Sequence, residues 1–182
     1  MITLKTIHKI KIARIACSTI RCFRKILGLP DHVTVHRGGF WWHLDLIEGI
    51  DFSIYLLGGF EPLTLNLYRK FVKSGDIVLD IGANIGSHTL PLVHLVGETG
   101  KVFAFELTRY AFDKLNKNIS LNSNVMGRIS VSQVMLVANE CENLENEIYS
   151  SCPLFGNPQD LHGEHRGRLM DTSGVGVAQT PT

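Results

Sequence analysis

The residues best suited to chemistry lie in one glycine-bearing segment and at one position downstream of it. Asp80 ends an apolar run, and Gly82-Ala83-Asn84-Ile85-Gly86 follows it. Glu106 ends a second apolar run, 20 residues after Gly86. A carboxylate at that separation is suited to accept hydrogen bonds from both hydroxyls of a ribose. Glycines at 82 and 86 remove side chains where a ligand approaches the backbone, so the pattern predicts a nucleoside-binding site.

The spacing of the glycines separates two classes of nucleoside ligand. A nicotinamide dinucleotide site has G-x-G-x-x-G, where the backbone and a helix N-terminus accept the pyrophosphate. Here Gly82 and Gly86 give G-x-x-x-G, and Asp80 places a negative charge beside any phosphate. An acid there fits a ligand with a cationic amino group and no phosphate, such as the methionine part of S-adenosylmethionine. The pattern therefore disfavours an NAD-dependent oxidoreductase.

Alternating strands and helices must position these residues. The apolar, β-branched runs 77–81, 101–106 and 129–137 are typical of strands buried on both faces of a parallel sheet. Between them, residues 89–96 are helical, with Pro91 tolerated in a first turn, and Thr108 caps a further helix. Strand–helix–strand–helix–strand predicts a doubly wound α/β sheet. Its strand ends share one edge, which brings Asp80, the glycine turn and Glu106 together.

The residues before this sheet are predicted to form an extension of helices and strands. Residues 41–46 and 52–57 are β-rich runs joined by a hairpin-like turn at 48–51, and residues 61–73 have helical apolar spacing. Residues 2–27 form an amphipathic helix. Its apolar face comprises Ile12, Ile15, Ala16, Thr19, Phe23, Ile26 and Leu27.

The charge of the chain is unevenly distributed. Residues 1–29 contain seven basic residues and no acidic one, whereas the remainder holds 11 basic and 17 acidic residues. The body lacks the basic patch expected of a general nucleic-acid surface, so we expect no nucleic-acid partner. Two interpretations of residues 1–29 stay open. The favoured one is a helix packed on its own domain, and the other is attachment to an acidic membrane surface or to a partner.

The cysteines and histidines indicate neither disulfides nor a metal site. Four cysteines without C-x-x-C spacing are typical of reduced thiols in a cytoplasmic protein. His162, Glu164 and His165 could ligate a metal, but without a further cluster nearby a polar loop is favoured. We therefore predict no metal.

Together these stretches resemble the FkbM-type methyltransferases. The resemblance lies in residues 78–86, 100–106 and 115–122, with further similarity at 59–61, 75–76 and 162–167, and covers roughly residues 35–175. It implies a class I, Rossmann-like fold that uses S-adenosylmethionine for O-methylation of a sugar or natural-product hydroxyl. The implied donor-binding residues are Asp80, Gly82, Asn84, Gly86 and Glu106. Glu61 would lie near the methyl-transfer site.

Two features depart from the family. Leu107 stands where the family usually has proline, and only three strands are evident where the resemblance implies seven. We therefore expect an incomplete sheet in a truncated chain that is marginally stable or self-associates. The expected organisation is a basic helix at 1–30, a hairpin and helix at 31–74, and a partial donor-binding domain at 75–182. A catalytically inactive donor-binding or interaction module, attached through its basic helix, is the alternative.

Overall fold

The computed structural model describes residues 6–137, 147–149, 154, 166–168 and 176–179. The helices are α1 (Thr6–Ile26), α2 (Gly49–Leu57), α3 (Pro62–Phe71), α4 (Thr89–Leu95), α5 (Arg109–Ser120) and α6 (Ser123–Met126). The strands are β1 (His32–Arg37), β2 (Phe40–Asp45), β3 (Ile77–Ile81), β4 (Lys101–Phe105), β5 (Ile129–Ser132), β6 (Val134–Val137), β7 (Glu147–Tyr149), β8 (Arg166–Arg168) and β9 (Gly176–Gln179). No helix of the described part is long and apolar enough to cross a membrane.

A parallel three-stranded sheet in the order β3-β4-β5 forms the centre of the fold. Helices α4 and α5 connect these strands and bury Leu90, Val93 and Leu115 against Val102 and Ala104. The predicted α/β fold, with an incomplete Rossmann-like sheet after a helix and a β-hairpin, is confirmed. The expectation that β3 is buried on both faces is wrong. The structure describes helices over one face only, which leaves alternate β3 side chains exposed.

The predicted strand at 52–57 is wrong, because these residues belong to helix α2. Its inward residues Asp51 and Ile54 follow a helical spacing of three, and Gly58 ends the helix with a left-handed φ of 79°. The hairpin instead pairs β1 with β2. It turns at Gly38 and Gly39, whose φ angles of 57° and 90° suit a tight two-residue connection.

The predicted third strand, 129–137, is two strands with different partners. β5 pairs with β4, whereas β6 pairs in parallel with β9. Gln133 separates them, and its Nε2 donates to the Leu107 carbonyl at 3.3 Å. β7 and β8 form a separate antiparallel pair. The polar residue in the middle of the apolar run is therefore the point where the chain leaves the central sheet.

Helix α1 packs through a different face from the one predicted. Ala13, Ala16, Cys17 and Ile20 contact a small core that contains Phe52. Of the predicted apolar face only Ala16 packs inward, and the large residues point outward. Small side chains let the helix axis approach the body closely, so the larger ones are not needed in the core.

Residues of the hairpin and of the sheet share one hydrophobic core. Trp42 and Leu44 of the hairpin lie in the same cluster as Val102 and Ala104 of β4. The boundary at residue 74 between an N-terminal part and a donor-binding domain stays a prediction.

Candidate functional site

The carboxyl ends of β3 and β4 lie side by side, with Ile81 opposite Phe105 in the parallel register. The chain leaves β3 through a turn that is fastened to β4. The backbone N–H groups of Gly82 and Ala83 both donate to the Phe105 carbonyl at 2.9 Å. The structure therefore brings Asp80, the glycine turn and Glu106 to one edge of the sheet, where open α/β folds hold their ligands.

Three residues of the turn have left-handed backbone conformations: Gly82 with φ of 78°, Asn84 with φ of 48° and Gly86 with φ of 93°. This region is open to glycine and tolerated by asparagine. Gly82 has open space where a Cβ would lie, whereas a Cβ on Gly86 would come within 2.9 Å of Leu115 Cδ1. Two reasons therefore favour glycine at position 86: its left-handed backbone and the close packing of Leu115 of α5. Direct contact of these glycines with a ligand stays a prediction.

Glu106 is buried, and its carboxylate accepts three hydrogen bonds from the protein. Oε2 accepts from the Asn84 N–H at 3.0 Å, and Oε1 accepts from the N–H and the hydroxyl of Thr108 at 2.9 and 2.6 Å. Thr108 occupies the predicted N-cap position of α5, but its hydroxyl donates to Glu106 instead of capping the helix. Since a carboxylate has about four acceptor positions, about one remains for a ligand hydroxyl.

Asp80 lies below the turn, and burial raises the pKa of its carboxyl above the ordinary range. The Thr89 hydroxyl donates to Asp80 Oδ2 at 2.5 Å, and this bond, with the nearby His88, partly offsets the effect of burial on that pKa. A carboxylate removed from water without a strong cationic partner attracts a ligand cation. The sequence analysis did not predict this contact of Thr89 with Asp80. The only hint in the sequence was that Thr89 lies three residues after Gly86.

The structure places Glu61 beside this edge, although it precedes Asp80 by 19 residues. Its Oε2 lies 3.8 Å from His88 Nε2 and accepts from the Thr64 hydroxyl at 3.1 Å. Burial, followed by the negative charges of Asp80 and Glu61, raises the pKa of Tyr68, whose ring also meets His88 edge-on. Glu61, His88, Tyr68 and Asp80 therefore form one cluster at the end of β3.

Two features of this cluster are energetically unfavourable. Glu61 has a left-handed φ of 49°, which is costly for a residue other than glycine or asparagine. His88 Nδ1 is buried and has no hydrogen-bond partner in the described structure. Strained backbone and unpaired buried polar atoms concentrate where ligands bind. Sequence reasoning did not single out His88 or Tyr68.

Asn118 of α5 joins the hairpin to the glycine turn, and Asn122, which follows this helix, adds a second contact to the hairpin. Asn118 accepts from the His43 N–H at 2.7 Å and donates to the Ile85 carbonyl at 2.9 Å. Asn122 accepts from the Trp41 N–H at 2.9 Å and donates to the Trp41 carbonyl at 2.8 Å. The backbone of the turn is thereby held from behind by α5, which is itself bonded to the edge of β2.

Metal ligation finds no support in the part of the chain that the structure describes. No group of three or more His, Cys, Asp or Glu side chains there could hold an ion. His162, Glu164 and His165 lie outside the described residues. Cys17 and Cys22 are free thiols.

No family model matches the chain. A protein assigned as an rRNA-methylase from Clostridium thermocellum is 30% identical over 40% of this chain and 38% of its own, with a TM-score of 0.38. A protein assigned as a transferase from Pyrococcus horikoshii is 20% identical over 69% of this chain and 55% of its own, with a TM-score of 0.46.

A SAM-dependent O-methyltransferase from Thermotoga maritima is 16% identical over 63% of this chain and 51% of its own, with a TM-score of 0.39. This chain therefore spans between 38% and 55% of the length of these three structures. Because each TM-score is below 0.5, any assignment of function depends on the residues of the site.

Proposed function

We propose that the chain binds S-adenosylmethionine and serves methyl transfer, as an FkbM-type enzyme acting on a hydroxyl of a sugar or other small molecule in the cytoplasm. The observation that carries this proposal is the pair of carboxylates at one sheet edge. Asp80 is half-buried, and Glu106 closes the glycine turn. A sheet edge that presents two acids favours a cationic nucleoside over one that bears phosphates.

The residues present fit this donor. The Asp80 carboxylate suits its amino group, and the remaining acceptor position of Glu106 suits one ribose hydroxyl. Gly82 is exposed and has open space where a Cβ would lie, and Gly86 lets α5 support the turn. When bound, the donor supplies an electrophilic methyl group on a sulfonium.

The contribution of the protein is to orient the reactants and to exclude water. Glu61 and His88 lie at the same edge as Asp80 and on the side of α3. We assign this side to the acceptor, with Glu61 as the residue nearest the transferring group. The strained backbone of Glu61 fits such a role.

Calorimetric titration of the purified chain with S-adenosylmethionine, and separately with NADH, tests the proposal. Asp80→Asn keeps the size of the side chain and removes its charge. We expect roughly tenfold to hundredfold weaker S-adenosylmethionine binding in this variant, because a hydrogen bond to a charged group contributes about 1.5–3 kcal/mol. Asp76→Asn, four residues earlier and outside the turn, is the matched control and should bind normally.

Tight NADH binding, or equal S-adenosylmethionine affinity in Asp80→Asn and the unaltered chain, would contradict the assignment. Circular dichroism establishes that each variant is folded before its titration is interpreted.

A second candidate is a donor-binding or interaction module without catalysis, attached through α1. The outward-facing apolar residues of α1 favour it, since they lie outside the hydrophobic clusters of the described residues. Formation of S-adenosylhomocysteine with a panel of hydroxyl acceptors separates the two. The enzyme forms it in an acceptor-dependent manner, whereas the module binds the donor without turnover.

A further inference from the structure

Helix α1 carries a stripe of large apolar side chains on its outer side. Ile12, Ile15, Phe23 and Ile26 are 55%, 69%, 65% and 74% exposed. With Thr19 they recur at intervals of three and four residues, so they share one face of the helix. A single exposed apolar residue is ordinary, whereas a continuous row on one helix is a candidate binding surface whose charge must be examined.

The body, as far as the structure describes it, leaves this stripe exposed. The opposite side of α1 packs through Ala13, Ala16, Cys17 and Ile20, and Cys17 Sγ donates to the Leu46 carbonyl at 3.1 Å. The helix is thus fixed to the body with the stripe facing outward.

The arginines of α1 strengthen this attachment. Arg14 Nε donates to the Leu154 carbonyl at 2.6 Å, and Arg21 forms a two-bond pair with Asp31 at 2.9 and 2.6 Å. Arg24 donates twice to the Pro30 carbonyl. These contacts oppose a rotation of the helix that would bury the stripe.

Two lysines of α1, Lys11 and Lys25, lie beside the stripe. Lys11 and Lys25 are exposed, and each precedes a stripe residue by one position. They are 14 residues apart, about four helical turns, so both lie on the same flank. Lysines in that position extend their ammonium groups to the surface of a layer that receives the apolar residues.

The charge of α1 distinguishes between the possible occupants of the stripe. The helix contains no acidic residue. Pairing with α1 of a second copy would bring two positively charged helices together, which is unfavourable. An anionic lipid surface offers both an apolar layer for the stripe and negative charge for the lysines.

We propose that α1 lies in the plane of an anionic membrane surface, with Ile12, Ile15, Phe23 and Ile26 inserted among the lipids and Lys11 and Lys25 at the headgroups. The catalytic or binding function of the sheet edge is not needed for this attachment. The whole chain is thereby held at the membrane, on the side of its N-terminal helix.

Flotation of the full chain with vesicles tests the proposal. We expect binding to vesicles of phosphatidylcholine with phosphatidylglycerol, and weak binding to phosphatidylcholine alone. Ile15→Asp with Phe23→Asp should raise the lipid concentration for half-maximal binding at least about tenfold. Replacing Lys11 and Lys25 by serine should weaken binding about fivefold per lysine on anionic vesicles only.

The matched control is Leu63→Asp with Phe71→Asp, because these α3 residues are similarly exposed and apolar. This control should float like the unaltered chain. No flotation of the folded chain, equal binding to both vesicle types, or an equal loss in the control would overturn the proposal. A dimer in lipid-free solution that Ile15→Asp with Phe23→Asp abolishes would assign the stripe to a second copy instead.

Discussion

At the scale of single residues, the candidate site holds an acid in an environment that disfavours its charge. Burial raises the pKa of Asp80, and the Thr89 hydroxyl and His88 offset only part of that effect. A folded-state pKa above that of the unfolded chain means that the folded chain binds more protons across this interval. Stability is therefore greatest below the unfolded pKa and falls as pH rises through the folded pKa.

Because burial disfavours the charged form of Asp80, we predict that Asp80→Asn stabilises the chain at neutral pH. The amide has no charge to desolvate and can still accept from the Thr89 hydroxyl. Urea denaturation followed by circular dichroism should give a higher free energy of unfolding for the variant near pH 7. The difference should shrink as pH falls through the raised pKa of Asp80.

Thr89→Val is a second variant for the same denaturation measurement. It removes the hydrogen bond to Asp80 and nearly keeps the shape of Thr89. It should lower stability at neutral pH. A lower stability of Asp80→Asn at pH 7 would mean that the carboxylate is held for structural reasons and not for a ligand.

At the scale of elements, α5 and the residues just after it match the spacing of strand β2. Residues four apart on a helix rise by about 6 Å, and residues two apart on a strand by about 6.7 Å. Leu121, the C-cap of α5, keeps helical backbone angles, so Asn118 and the following Asn122 reach His43 and Trp41, two residues apart on β2, and take the place of a neighbouring strand. These side chains thereby bond to backbone groups at the edge of β2, which would otherwise be open to pairing with another chain.

Asn118→Ala is expected to lower the free energy of unfolding by at least about 2 kcal/mol. It leaves the His43 N–H and the Ile85 carbonyl without their partner in a buried region. Thermal unfolding measures the loss. Asn116→Ala is the control on the same helix, since Asn116 is exposed and should change stability by no more than about 0.5 kcal/mol.

A structural role alone would affect only stability in the Asn118→Ala variant. Because Ile85 belongs to the glycine turn, we also expect weaker S-adenosylmethionine binding at a temperature where the variant remains folded. Unchanged affinity would show that α5 supports the hairpin without positioning the turn.

At the scale of the whole molecule, the sheet is covered unevenly. α4 and α5 bury one face, whereas Ile77, Leu79 and Ile81 of β3 are exposed on the other. Among the described strands β3 pairs only with β4, so it combines an open edge with an apolar face. Such strands associate with other chains.

We therefore expect the chain to self-associate at micromolar concentrations, as sedimentation velocity over a concentration series would show. Ile77→Thr with Leu79→Thr should reduce the association, because threonine keeps the strand preference and removes apolar surface. Met126→Thr, on the helical layer, is the exposed apolar control. A concentration-independent monomer of the unaltered chain would contradict the expectation.

The sequence by itself determined the core of the fold and the place of the site. The alternation of apolar runs with helical segments predicted β3, α4, β4 and α5, because burial imposes these periods locally. Parallel strands share one edge at their carboxyl ends, so the order of the elements along the chain was enough to place Asp80, the turn and Glu106 together.

The tertiary structure decided what depends on contacts between distant residues. Residues 52–57 are apolar enough for either element, and the packing of Asp51 and Ile54 under β2 makes them helical. α1 has two faces that could pack, and the close fit of its small residues selected the one opposite the large apolar stripe. Glu61 and His88 meet at the site only because α3 and α4 pack side by side. Local periods in the sequence do not choose between these alternatives, because the deciding contacts join residues far apart along the chain.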